Sequence, residues 1–192
     1  MMENKIQFDK NYIKSDFPLQ SYMGFEFENC VFENCDWSQK NFKGSTFIDC
    51  EFIDCNLTAI DFSGVGLKNV TFNQCKMLGI AFQSCDDFLF SIHCKGSVLN
   101  MSSFVRKKLV DSTFFMCDLK EVNFAEANLT KVDFFECNLE NAFFNSTNLT
   151  KVNLKTAHNF TIDPNFNTVQ NLEITTSGLA GLLTKFQLKI SQ

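Results

Sequence analysis

The segment NLTKVDFFECNLENAFFNSTNLTKVNL, residues 128–154, decides the fold of this chain, because a large apolar residue returns at every fifth position. Outward from this segment, the same spacing runs from Tyr22 to Phe82 and, after a shift of two residues, from Leu89 to Leu154. Thirteen central residues precede the shift and fourteen follow it, and all of them except Cys94 are aromatic, Leu or Met. A repeat of this length takes precedence over any local signal of secondary structure.

A second signal lies two positions before each central residue, where the side chain is small or branched, as at Cys30, Val65, Val122 and Ala142. Residues two apart in an extended chain point to the same side. Each pentad therefore directs one large and one small side chain inward and three side chains outward. A period of five fits neither an α-helix nor a flat strand. The pattern predicts an extended chain that turns once in every pentad.

The pentads also group in fours. Taking every fourth central residue gives columns, of which the first is entirely aromatic: Tyr22, Phe42, Phe62, Phe82, Phe104, Phe124 and Phe144. The column two places along is mainly Phe, whereas the two columns between them turn to Leu. This alternation predicts a four-sided coil of 20 residues whose stacked turns lie about 4.8 Å apart. The columns stay aligned if residues 83–88 form a two-residue bulge or loop, which makes Leu89 the inward residue that follows Leu67.

The composition supports this all-β prediction and limits the location of the protein. The chain of 192 residues has 24 Phe but only two Pro and eight Gly, which is little turn chemistry for a sandwich or barrel. Its N-terminus is polar, with no apolar core of a secretory signal, and no stretch reaches 18 apolar residues. We therefore expect a cytoplasmic protein with reduced thiols and no membrane association. A net charge of −5 argues against direct nucleic-acid binding.

Three segments follow from the periodicity. Residues 1–20 lack the repeat and are expected to cap the first coil, residues 21–156 form the solenoid, and residues 157–192 form a C-terminal cap. In that cap, Val169, Leu172 and Ile174 indicate a short strand, and Ser177 is placed to cap a helix that begins at Gly178. One apolar stripe is expected along that helix: Leu179, Leu182, Leu183 and Phe186. The stripe either seals the last coil or meets its own copy in a two-fold dimer.

Over about residues 20–156 the chain resembles the pentapeptide-repeat proteins, whose repeat is A-[DN]-[LF]-x-x. The quoted segment and the Asn-Leu-Thr units at Asn56, Asn128 and Asn148 carry this resemblance. It implies a right-handed quadrilateral β-helix. Chain length, the single break and the tail IDPNFNTVQNLEITTSGLAGLLTKFQLKI are similar to the Qnr and MfpA group. That similarity implies a homodimer joined through its C-termini, which binds DNA gyrase or topoisomerase IV as a mimic of duplex DNA and protects against quinolones.

Cysteine and histidine give little indication of chemistry. The C-x4-C pairs Cys30–Cys35 and Cys50–Cys55 resemble metal pairs, but they occupy inward small-residue positions, where free Cys packs as a small hydrophobe. The two histidines, His93 and His158, lie in no nucleophile or zinc motif, and no phosphate-binding glycine loop occurs. We expect no catalytic residue, cofactor or metal, so the protein is not expected to be an enzyme.

Charge is the remaining functional signal. Eight acidic residues between positions 26 and 61 face only Lys40 and Lys43 in the same stretch: Glu26, Glu28, Glu33, Asp36, Asp49, Glu51, Asp54 and Asp61. From Arg106 to Lys155, by contrast, the two signs balance at seven each. The acidic coils suit the basic groove of a DNA-binding protein, with type II topoisomerases indicated by the resemblance. Two alternatives are a solvated surface that keeps the rod soluble, and a cytosolic scaffold whose partner is an unrelated protein.

Overall fold

The computed structural model describes residues 5–14, 21–38 and 40–188. The chain forms a right-handed quadrilateral β-helix of about six turns, as the repeat and the family resemblance predict. Two of its four sides are parallel sheets. One sheet has four strands in the order β1-β3-β5-β7, and the other has seven in the order β11-β10-β9-β8-β6-β4-β2. The strands are β1 Ile6–Phe8, β2 Asn11–Ile13, β3 Glu26–Glu28, β4 Val31–Glu33, β5 Thr46–Ile48, β6 Glu51–Ile53, β7 Gly66–Lys68, β8 Val70–Asn73, β9 Ile92–Lys95, β10 Thr113–Phe115 and β11 Phe134–Phe135.

We number the sides by the first central residue of each: face 1 begins with Tyr22, face 2 with Phe27, face 3 with Phe32 and face 4 with Trp37. Faces 2 and 3 hold the two sheets. Faces 1 and 4 pair through isolated parallel bridges between successive coils, such as Ser21 with Asn41 and Asp36 with Asn56. Because both bridges join residues 20 apart, the coil has the predicted length.

The interior is filled by the predicted columns. On face 2, Phe27 pairs with Phe47, and their parallel rings lie 4.9 Å apart. The small inward position is just as regular, since the thiol of Cys50 donates to the backbone carbonyl of Phe27 in the coil before, at 3.3 Å. Ser97 occupies the same slot where the column of cysteines lacks one, and its hydroxyl donates to the carbonyl of Phe72 at 3.1 Å. A small donor in this slot therefore ties adjacent coils together from inside.

The corners explain how the chain turns with so little glycine and proline. The residue at each corner of face 2 has a left-handed backbone, with φ of 51° at Asn29, 52° at Asp49 and 54° at Asn69. Asn and Asp tolerate this conformation better than other residues with a side chain. The Asn before a central residue adds a local turn, as where the Asn128 Oδ1 accepts from the Thr130 N–H at 3.1 Å.

The two-residue insertion exists, but the residue predicted to point inward beside it is wrong. Phe72 pairs with Cys94, 22 residues on instead of 20. The extra residues lie within positions 87–90, since the Asp86 N–H still bonds the Val65 carbonyl and the Ser91 N–H bonds the Leu67 carbonyl. Leu89 is 65% exposed, whereas Phe90 is buried at 7%. The insertion loops outward and turns Phe90 into the place expected for Leu89.

At the N-terminus the solenoid begins earlier than the repeat predicts. β1 and β2 stack on β3 and β4 in the same 20-residue register, with Gln7 opposite Phe27 and Tyr12 opposite Phe32. Residues 5–14 thus cover the first complete coil as two further strands of the same sheets. The rest of the expected cap, residues 1–4 and 15–20, lies outside the described residues.

At the C-terminus the coil continues past Leu154. Bridges join Asn148 to Thr168 and Asn153 to Glu173, so the segment predicted as one strand contributes single bridges to two faces. The α-helix α1, Leu179–Leu183, lies between 3-10 turns at Thr176–Gly178 and Thr184–Phe186. The capping oxygen comes from Thr175, which accepts from the Gly178 N–H at 3.3 Å, and not from Ser177 as predicted. In the described part of the chain no helix is long and apolar enough to cross a bilayer.

Candidate partner-binding surface

The structure brings together six of the eight acidic residues predicted to form a binding surface. Glu26, Glu28 and Glu33 lie on faces 2 and 3 of one coil, and Asp49, Glu51 and Asp54 lie on the same two faces and their corners in the next coil. Glu26, Asp49 and Asp54 are exposed, and the other three are half-buried. We call these six residues the acidic surface.

The other two predicted acids lie elsewhere on the solenoid. Asp36 is on face 4 and Asp61 is on face 1. Both serve local turns: hydrogen bonds from the Ser38 hydroxyl and N–H lower the pKa of Asp36, and those from Ser63 lower the pKa of Asp61. These two residues are therefore not part of one surface with the other six.

The carboxylates of the acidic surface are not neutralised by neighbouring cations. All five ion pairs found among the described residues lie beyond position 86: Arg106–Glu126, Lys107–Asp87, Lys120–Glu140, Lys155–Glu173 and Lys185–Asp163. Within the acidic surface, Asn69 donates to Asp49 at 2.6 Å and Asn34 donates to Glu33 at 3.3 Å, which leaves the negative charges in place. The negative charge thus stays concentrated at one end of the solenoid.

Sequence reasoning missed Lys107, which occupies an inward small-residue slot and is 1% exposed. Its ammonium donates to the Cys85 carbonyl and to the Asp87 carboxylate, both at 2.7 Å, and lies 3.5 Å from the Asp86 carbonyl. It also sits 4.4 Å from the centre of the Phe90 ring. The signal in the sequence was a lysine two positions before the central residue Leu109, one coil after the two-residue shift.

A cleft of about 380 Å³ lies on face 2 between the acidic surface and the insertion. Asp49 and Ile48 line one side of the cleft, and Asp87, Leu89 and Phe90 line another. The acidic surface and the loop of residues 87–90 therefore share one continuous stretch of face 2. The pair Asp86–Asp87 is exposed at this loop, as its sequence position suggests.

The C-terminal helix divides the predicted apolar stripe between two directions. Gly178, Gly181 and Leu182 face the last coil, and a Cβ added at Gly181 would lie 2.3 Å from the Phe160 carbonyl oxygen. Leu179 and Phe186 are 46% and 58% exposed, and Leu183 is half-buried. The absence of side chains at the two glycines lets the helix approach the coil, and the outward side of the stripe stays open.

Comparison with known proteins places this architecture. The sequence of residues 25–104 matches the pentapeptide repeat region family, and residues 117–155 match the family of pentapeptide repeats in eight copies. The chain belongs to the pentapeptide-repeat family. No curated protein sequence matches the chain.

Among solved structures, this pentapeptide-repeat protein is similar to two trypsin-treated variants of QnrB1, described as a plasmid-mediated fluoroquinolone resistance protein. The first is 17% identical with a TM-score of 0.55, over 97% of each chain. The second is 16% identical with a TM-score of 0.54, over 97% of this chain and 99% of the other. At these identities the similarity shows a common fold alone.

The nine cysteines of this pentapeptide-repeat protein are all buried and unpaired, as expected for interior packing. Burial raises the pKa of the Cys85 thiol to about 12 and raises that of Cys94. In the pair Cys30–Cys50, a hydrogen bond between the two thiols lowers the pKa of Cys30 and raises that of Cys50. Cys30 has no exposed surface, so its lower pKa does not make it accessible to reagents.

We predict that the folded protein consumes less than about one equivalent of a thiol reagent such as DTNB at pH 8, because every thiol is enclosed. After denaturation in guanidinium chloride, all nine should react. Rapid reaction of several thiols in the folded protein, without loss of the far-UV CD signal, would contradict the inward placement of these columns.

Neither histidine is part of a reactive cluster. His93 lies 3.0 Å from the Thr113 hydroxyl and 3.0 Å from the Asn69 Oδ1, and burial lowers its pKa. His158 takes part in a backbone bridge with Asn138 on face 4. Across residues 5–14, 21–38 and 40–188, no group of three or more His, Cys, Asp or Glu side chains is arranged to hold a metal ion.

Proposed function

We propose that this pentapeptide-repeat protein is a non-enzymatic binding module that inserts its acidic surface into the DNA-binding groove of a type II topoisomerase, DNA gyrase first. The observation that supports this most directly is the set of six uncompensated carboxylates on adjacent faces of two successive coils. The resemblance to the Qnr and MfpA group and the fold shared with QnrB1 select the partner and suggest protection from quinolones.

The density of charge is suited to such a groove. Two coils rise about 9.6 Å along the axis at about 4.8 Å each. Six carboxylates over that length correspond to one negative charge per about 1.6 Å, against one per about 1.7 Å of duplex DNA. The match extends over only two coils, because Lys68 occupies face 2 of the third coil. We therefore expect the acidic surface to engage a short part of the groove.

We also propose a homodimer that forms through the open side of α1 and the turn after it. Leu179, Leu183 and Phe186 would meet their copies across a two-fold axis, while Leu182 and the two glycines hold the helix on its own coil. This arrangement would place one acidic surface at each distal end of a longer rod.

The function is tested by titrating the purified protein into a DNA gyrase supercoiling assay with and without a quinolone. We expect the wild-type protein to restore supercoiling in the presence of the drug at micromolar concentration. The triple variant Glu28→Gln, Glu33→Gln, Glu51→Gln should need at least about tenfold more protein, because it removes half of the uncompensated charge.

A control triple variant makes the same change in net charge on the balanced coils: Glu121→Gln, Asp133→Asn and Glu136→Gln. It should behave like the wild-type protein. Equal loss in both triples would show that net charge alone matters and that the acidic surface is not the site. No effect of the wild-type protein on gyrase or topoisomerase IV, with or without drug, would favour the alternative of a scaffold with an unrelated protein partner.

A further inference from the structure

The loop of residues 87–90 is an unusual place for rigid structure. A regular coil has two residues, the central one and the one after it, between the positions held here by Asp86 and Ser91, and this coil has four. The backbone bonds of Asp86 and Ser91 to face 2 pin both ends of the loop. Inside it, the Phe90 N–H bonds the Asp87 carbonyl at 3.3 Å, and the Phe88 N–H bonds the Asp86 Oδ1 at 3.0 Å.

Lys107 supplies what the loop otherwise lacks, which is a connection to the interior. A small side chain at this slot would leave the carbonyl of Cys85 without the donor it now has. The lysine stem fills the slot, and its ammonium reaches three consecutive residues of the loop and the Phe90 ring. A buried ammonium is costly unless it is paired and fully hydrogen-bonded, so each of these contacts favours this one conformation of the loop.

The tip of the loop carries two large apolar side chains that the fold does not bury. Phe88 and Leu89 are each 65% exposed. The ammonium of Lys68, on the neighbouring coil of face 2, lies 5.0 Å from the centre of the Phe88 ring and orients it. Phe88 and Leu89 are therefore presented side by side from a loop that is fixed from both outside and inside.

We propose that Lys107 is a positioning residue that holds the loop of residues 87–90 rigid, so that Phe88 and Leu89 form an apolar contact for the same protein partner that binds the acidic surface. The partner role rests on the proposed function. It is supported by position, because Asp49 of the acidic surface and Leu89 of the loop line the same cleft. The partner surface that fits is a basic groove with an apolar pocket at its edge.

The positioning role is tested without any partner by hydrogen exchange followed by NMR. Lys107→Met keeps the length and packing of the stem but removes the ammonium. We expect the amides of Phe90 and Ser91 to exchange at least about tenfold faster in this variant, while the Ser102 amide on the far side of the coil is unchanged. Unchanged exchange at Phe90 and Ser91 would overturn the positioning role.

If Lys107→Met fails to fold, Asp87→Asn gives the same test in a milder form. It removes only the carboxylate partner, which is 86% exposed, and leaves the two carbonyl contacts in place. We expect a smaller increase of exchange confined to the same two amides. An increase spread evenly over all coils, or none at all, would count against a local role for the ammonium.

The docking role is tested by binding of the full chain to purified DNA gyrase. The double variant Phe88→Ser, Leu89→Ser should bind about tenfold more weakly or worse, because the contact of two large apolar side chains is lost. It should leave the exchange of Ser91 near the wild-type rate. The control is Met101→Ser, Phe166→Ser, which removes two comparably exposed side chains from other parts of the solenoid, at 59% and 64%.

The outcomes separate the two proposals. Wild-type binding by the tip variant, with weakened binding by the acidic triple variant, would overturn the apolar contact and support the proposed function. Weak binding by the tip variant and normal binding by the control supports the contact. Absence of gyrase binding by the wild-type protein would overturn the proposed function and the docking role together, and the exchange experiment then judges Lys107 alone.

Discussion

Replacing Phe124 by alanine is expected to lower the free energy of unfolding by about 3–5 kcal/mol. Phe124 has no exposed surface and lies in the middle of the aromatic column of face 1. Its ring stacks on Phe104 at 5.5 Å and on Phe144 at 5.4 Å, and it meets the ring of Phe134 edge-on at 5.8 Å. Alanine would open a cavity that the coils above and below cannot close, because their backbones are joined by the ladder of hydrogen bonds.

Chemical denaturation should be followed by far-UV CD and by fluorescence of the single tryptophan, Trp37. Because each coil contacts only its neighbours, the two signals can separate if the C-terminal coils unfold first. The matched control is Phe143→Ala, the residue before Phe144, whose side chain is 53% exposed. We expect it to cost less than about 1 kcal/mol. Similar losses for both variants would contradict the assignment of inward and outward positions.

Replacing Leu179 and Phe186 together by serine is expected to convert a dimer into a monomer. Each residue leaves about half of its surface exposed on the outward side of α1, at 46% and 58%. In a two-fold interface each substitution counts twice, and burial of one such side chain contributes about 1.5–3 kcal/mol. Dimerisation should therefore weaken by well over a hundredfold, measured by sedimentation or by light scattering after size exclusion.

The stability of each solenoid should change little in this variant, because neither residue packs against the coil. The side of the helix that contacts the coil, with Gly181 close to Phe160 and Lys185 paired with Asp163, is left intact. The control pair Met101→Ser, Phe166→Ser should remain a dimer. A wild-type protein that is monomeric at concentrations up to about 100 µM would overturn the dimer, and the stripe would then serve only to seal the last coil.

The repeat made most of the fold predictable because it specifies the same environment many times. Large residues at every fifth position, small ones two before them and columns every 20 residues leave few arrangements open, and the structure confirms the coil length at Phe27, Phe47 and Leu67. Prediction failed where the repeat fails. Leu89 fits the spacing as well as Phe90 does, and only the path of the loop decides which of them is buried.

The candidate surface was predictable in composition but not in arrangement. The excess of acid between positions 26 and 61 is visible in the sequence, yet Asp36 and Asp61 leave the group because a coil sends every fifth residue to a different side. Lys107 illustrates the same limit. A lysine among inward positions indicates a departure from the pattern, but its partners Cys85, Asp86 and Asp87 lie 20 or more residues away in sequence.

The sequence by itself determined the four-sided coil, the inward columns of Phe, Leu and Cys, and the acidic character of the N-terminal coils, because each of these is a property of position within a repeat. The tertiary structure alone decided which acids share a surface, how the insertion projects and which side of the C-terminal stripe stays open. Those features depend on contacts between coils, such as that of Lys107 with Asp87 or Gly181 with Phe160, and no local pattern encodes such contacts.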